Sequence, residues 1–119
     1  MTEQDFQQNL RLALTRAKVP VRLWRQPAGR IRTDRDTFVE CAPVGAADLT
    51  GGVTGGPRKG TRVEIEVKGA RTATTDAQLA WESFCRASGF VYLRLRYDAS
   101  LAPDENIDRA VAAVREAIG

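Results

Sequence analysis

Val63, Ile65 and Val67 alternate with Glu64, Glu66 and Lys68 along Thr61–Lys68. This period of two predicts the clearest strand in the chain, apolar on one face and charged on the other. Phe6, Leu10, Ala13, Leu14 and Ala17 recur instead at helical spacing, and Thr2 with Asp5 has the form of a capping box, so a helix is expected from Thr2 to Lys18. Pro20 ends that pattern, and Val21–Gln26 alternates as a strand before the turn residues Ala28-Gly29. Weaker strand patterns follow over Thr37–Ala42 and Ala47–Val53, and Gly51–Gly60 is expected to form a loop or hairpin tip. Ala77, Ala80, Trp81, Phe84 and Ser88 mark a helix from Thr75 that Gly89 ends. Phe90–Arg96 then reads as an apolar strand. Asp104 is the expected cap of a last helix carrying the stripe Ile107, Ala110, Val111, Val114 and Ile118.

The order α-β-β-β-β-α-β-α argues for an α/β fold with a mixed β-sheet flanked by helices. At 119 residues with 43% hydrophobic, the chain suits one domain over 1–119. No apolar run approaches the length of a bilayer span, and the N-terminus lacks the layout of a signal peptide. A cytoplasmic protein with no membrane partner is therefore expected.

There is no histidine, which excludes Ser-His-Asp and Cys-His catalysis. Cys41 and Cys85 are too few for a disulfide framework or an ordinary zinc site and are expected to be small buried residues. Any catalysis must rest on carboxylates, lysine, arginine or hydroxyls. The net charge of +3 permits a nucleic-acid partner, and Arg11, Arg16, Lys18, Arg22, Arg25, Arg30, Arg32 and Arg35 crowd the first third of the chain against Glu3, Asp5 and Asp34.

Alternating glutamate and lysine on a strand face ordinarily serves solubility. Asp48 changes the picture, because a hairpin through the glycine-rich loop would bring it beside Glu66. Phosphodiester hydrolysis needs a divalent cation held by a few oxygens, and Asp48, Glu66 and the main-chain carbonyl of Val67 could supply them. Lys68, on the face of Glu66, could orient the attacking water or stabilise developing charge. Glu64 is expected to be solvated or in a salt bridge. Gln78 fits a capping box with Thr75. Arg25 suits phosphate if it faces the cleft. The glycine loop is not a P-loop, since Lys59 precedes Gly60 and a strand follows. Its Arg58 and Lys59 are candidates for a DNA backbone contact.

Asp48 followed by Glu66-Val67-Lys68 resembles the PD-(D/E)XK nuclease signature, and the flanks resemble its VRR-Nuc branch from the first helix to the strand at Phe90–Arg96. Arg25-Gln26-Pro27-Ala28-Gly29 is similar to the family's arginine and glycine before the core, and Gly45-Ala46-Ala47-Asp48-Leu49 to its Gly-x-Pro-Asp-hydrophobic segment. Gln78 matches a glutamine near the active site. The resemblance implies a restriction-endonuclease-like fold and a Mg²⁺-dependent endonuclease acting on DNA, with Mn²⁺ able to substitute. Asp48, Glu66 and Val67 would hold the metal, Lys68 and Gln78 would serve catalysis, and Arg25, Arg30, Arg58 and Lys59 would contact DNA. It further implies a homodimer and selectivity for branched DNA. Two departures stand out: Ala47 occupies the usual proline position, and the acidic residue of the first helix falls on Gln7, with Glu3 one turn earlier on the same face. The second motivates an alternative, a non-catalytic DNA-binding or assembly module that keeps the nuclease fold.

Overall fold

A computed structural model describes residues 1–119. Helix α1 (Glu3–Arg16) opens with the Thr2/Asp5 capping box, and α2 (Asp76–Ala87) opens with a second box built from Thr75 and Gln78. The strands are β1 (Val21–Arg25), β2 (Arg30–Arg32), β3 (Phe38–Glu40), β4 (Leu49–Val53), β5 (Arg62–Lys68) and β6 (Val91–Arg96), and α3 (Pro103–Ile118) ends the chain. Strand β2 adds an element to the expected order. It pairs only with β3, in a hairpin of its own whose residues are all exposed. Its Arg-Ile-Arg is too short to show a periodicity that separates strand from turn.

Two boundaries differ from expectation for local reasons. Helix α3 starts at Pro103, one residue before Asp104, and its N-cap Ala102 makes no side-chain cap. Proline at the first helical position loses no hydrogen bond, because that N–H has no partner in a helix anyway. Helix α1 stops at Arg16, and Lys18 turns to a positive φ of 55°. No helix is long and apolar enough to cross a membrane.

The main sheet has the order β1-β4-β5-β6. β1/β4 and β4/β5 are antiparallel, whereas β5/β6 is parallel with α2 as the crossover. A parallel pair requires such a connection, since a short turn cannot return the chain to the same end of the sheet. Phe6, Leu10 and Leu14 of α1 and Ala110, Val111, Val114 and Ile118 of α3 bury one face of the sheet, meeting Val63, Ile65 and Val67. On the other face α2 brings Cys85, with Trp81 packed beside it, against Ala47 and Tyr92. The result is a three-layer mixed α/β domain with β5 at its centre.

The expected alternation of β5 holds, but its polar face is not solvated. From Val63 to Lys68 every residue is buried, with Glu64 at 0%, Glu66 at 3% and Lys68 at 3% relative exposure. Helix α2 and the loop before it close over that face. Of the two thiols only Cys85 is fully buried, its pKa pushed up to about 11 by burial, while Cys41 is half-buried.

Candidate active site

Asp48 and Glu66 meet where the β4/β5 ladder stops. The last pair is Leu49↔Ile65, so β5 runs beyond its neighbour and leaves an open edge. A strand residue points its N–H and C=O to the same side, and unpaired groups there need partners. Two carboxylates provide them: Asp48 Oδ2 accepts from Val67 N at 2.8 Å, and Glu3 Oε1 accepts from Gly69 N at 2.8 Å and from Thr72 Oγ1 at 2.9 Å. The Val67 carbonyl faces the same edge as its N–H, toward Asp48. Glu3, not Gln7, is thus the first-helix acid that reaches this end of β5.

The loop carrying Asp48 is held close to the start of α2. Gly45 has φ +93°, and a Cβ there would lie 2.4 Å from the main chain of Ala77, so only glycine fits. Ala47, at the position where proline was the family habit, is fully buried. Gln26 ties the loop to β1, donating its backbone N–H to Asp48 O at 2.8 Å and its Nε2 to Ala47 O at 3.1 Å.

Glu66 is short of partners. Its Oε1 accepts from Gln78 Nε2 at 3.3 Å, but Oε2 is buried with none. Arg94, its register neighbour on β6, is occupied by Glu82 at 2.6 Å. Burial, then the charge of Asp48 and a hydrogen bond to its carboxylate, push the Glu66 pKa up to about 8, while Lys68 pulls it down and Glu3 pushes it up further. Near neutral pH the side chain is largely protonated.

Lys68 Nζ donates to Gln78 Oε1 at 2.5 Å and to Ala73 O at 3.1 Å. Gln78 carries both roles that the sequence left open. Its Oε1 closes the α2 capping box by accepting from Thr75 N at 3.0 Å and also takes the lysine, while its Nε2 faces Glu66. Because the cap determines which end of the amide is oxygen, it also orients the link between Glu66 and Lys68.

Glu64, two residues back on the same face, is not solvated as one branch of the expectation had it. The other branch, the salt bridge, is present: Arg62 Nε lies 3.4 Å from Glu64 Oε2. Oε1 accepts from Gln26 Nε2 and Trp81 Nε1, each at 2.9 Å. The sequence placed Trp81 on the inward stripe of α2 without showing that its indole would serve a buried carboxylate.

The candidate DNA contacts separate. Arg25 ends β1 opposite Leu49, next to Asp48. Arg30 lies on the exposed β2, stacked 4.9 Å over Phe38. Arg58 and Lys59 sit in the β4/β5 turn, at the opposite end of the sheet from Asp48 and Lys68, as the antiparallel register requires.

No three acidic, histidine or cysteine side chains form a ready-made metal cluster. A divalent ion would rest on Asp48, the unpartnered oxygen of Glu66 and the Val67 carbonyl, with water completing its shell. That donor set suits Mg²⁺, which binds through one or two carboxylates and keeps several waters. A surface cavity of about 580 Å³ between α1 and β1 includes none of these side chains. The sequence matches no family model and no curated protein.

Proposed function

We propose that the protein is a Mg²⁺-dependent endonuclease of the PD-(D/E)XK type that hydrolyses phosphodiester bonds in DNA. One observation carries this reading: the half-buried Asp48 stands beside the buried Glu66, whose Oε2 finds no donor and whose pKa is pushed up to about 8, and Glu66 is joined through Gln78 to a buried lysine. A protein that keeps an acid pair so poorly compensated has left room for a cation.

When bound, the metal would neutralise the phosphate and lower the pKa of a water. Asp48 is held by the Val67 N–H, so its carboxylate is oriented before any ligand arrives. Glu66 would hold the ion as a carboxylate, releasing its proton to solvent, because a cation beside it would compensate the negative charge that burial and Asp48 disfavour. Lys68, fixed by Gln78 and the Ala73 carbonyl, presents its ammonium where it can orient the attacking water and stabilise charge on the phosphoryl oxygens. Arg25, beside Asp48, is the nearest of the four candidate cations to contact the strand being cut. Selectivity for branched DNA and a homodimeric state belong to the same proposal, the second checked by light scattering.

The deciding assay offers supercoiled plasmid, linear duplex and a four-way junction with Mg²⁺, Mn²⁺ or EDTA, to wild type and to Glu66→Ala and Lys68→Ala. Metal-dependent cutting lost in both variants is expected. A wild type that cuts nothing but binds DNA regardless of metal would instead be the non-catalytic module.

A further inference from the structure

Beside the carboxylate pair, between the first two turns of α1 and the end of β1, lies a groove of about 220 Å³ lined by Gln4, Asp5, Gln7, Gln8, Arg11 and Arg25, with no apolar residue among them. Polar linings are common on surfaces, but this one has an unmet demand. Gln7 is only 8% exposed and its Oε1 is buried without a partner. A buried amide oxygen left unpaired is a cost to the fold. The Gln7 Nε2 makes no hydrogen bond within the protein either, so the amide has its N–H₂ free to donate to a ligand.

The charges point to what that ligand is. Neither Arg11 nor Arg25 forms an ion pair with a carboxylate. With the Gln4 amide oxygen turned toward it, Arg25 is held by neutral contacts of 3.1 and 3.3 Å, which position the guanidinium without neutralising it. Asp5, the one acid of the groove, is committed to the α1 cap, and its hydrogen bonds with Thr2 hold its carboxyl below the usual range. Two uncompensated guanidinium groups flanking a free amide make a donor-rich seat for a tetrahedral anion.

Its location ties it to the chemistry. Arg25 pairs with Leu49, and the next residue, Gln26, binds the Asp48 carbonyl. Gln7 lies one helical turn beyond Glu3, whose carboxylate holds the end of β5. We infer that this groove is a phosphate subsite, taking a backbone phosphodiester of the strand beside the one to be cut. The inference rests on the nuclease reading for its ligand.

Fluorescence anisotropy with labelled duplex in EDTA tests it without cleavage. The Arg11→Ala/Arg25→Ala pair should weaken binding roughly tenfold or more and flatten the plot of log affinity against log salt by about 0.9, the share of the one phosphate the groove takes. Gln7→Leu should weaken binding while holding or raising the melting temperature, and Arg16→Ala, a cation on the same helix outside the groove, should bind within about twofold of wild type. Should the alanine pair melt early, Arg11→Gln/Arg25→Gln keeps the side-chain length and reads the same charges. Unchanged affinity and slope in the double variant, or no binding by wild type, overturns the subsite. Groove-dependent binding by a protein that never cuts with Mg²⁺ would remove the nuclease and keep the groove; Mg²⁺-dependent cutting with full affinity in the double variant would do the reverse.

Discussion

Glu64 and Glu66 stand two residues apart on the same face of the same strand, and both are buried. At Glu64 the protein supplies an indole, an amide and a guanidinium, so the charge is compensated from three elements. At Glu66 it supplies one long hydrogen bond from Gln78 and a second carboxylate, Asp48, with which a proton is shared, and no donor for Oε2. Burial is shared; compensation is not. A buried charge with its partners serves the fold, whereas at Glu66 a proton takes the place of partners, and that is a position a cation could fill.

The comparison breaks most decisively in activity. If DNA is cut, Lys68→Ala and Glu66→Gln should each lower the rate by roughly 10³-fold or more, as expected when a preorganised charge is removed. Glu64→Ala should leave whatever folded protein remains with its metal-dependent cleavage. Equal loss in all three would erase the distinction.

Stability should show the opposite order. Glu64→Ala strands the Trp81 indole and the Gln26 amide and should cost roughly 2–4 kcal/mol in urea unfolding, the half-exposed Arg62 limiting the ionic share. A cost below about 1 kcal/mol would mean that the network stabilises little.

A smaller effect lies in pH. Because the folded pKa of Glu66, about 8, is above its ordinary value of 4.5, the folded state holds the proton more tightly than the unfolded one. The resulting stabilisation is fully present below pH 4.5 and is lost as pH rises through 8. The melting temperature should fall by on the order of 5 °C between pH 6 and pH 9 from this group. Glu66→Gln, which mimics the protonated acid, should match wild type at pH 6 and exceed it at pH 9, and Mg²⁺ should narrow that gap. A pH profile identical in the two proteins would show that Glu66 does not titrate there.

The smallest expected change is Thr75→Ala, which removes one side of the capping box on α2 and should cost about 1 kcal/mol. Since Gln78 serves cap and lysine alike, the same change should also loosen the link to Lys68 and lower any cleavage rate a few-fold. A stability loss with full activity would show that Lys68 alone holds Gln78.

The caps and the periodicities were legible because they are local. Thr2/Asp5 and Thr75/Gln78 join residues three apart, and the β5 alternation follows from the pleat of a single strand. The β2/β3 hairpin was half legible, since Phe38–Glu40 fell within an expected strand while its partner was too short to register. The α3 start was misplaced by two residues, its cap being Ala102 instead of Asp104, because proline and aspartate both favour the first turn, and only the backbone chose between them.

By itself the sequence determined which residues share a face: Glu64, Glu66 and Lys68 on one side of β5, and Val63, Ile65 and Val67 on the other. It also supplied the order in which Asp48, Glu66, Lys68 and Gln78 occur. Only the tertiary structure decided that α2 buries the polar face, that Glu64 finds partners and Glu66 does not, and that Glu3 rather than Gln7 reaches the open edge of β5. The reason is range. Side-chain direction along a strand is set by neighbouring dihedrals, but desolvation and compensation of a charge depend on groups brought from 38 residues away, as Gln26 is to Glu64, or from 66, as Glu3 is to Gly69.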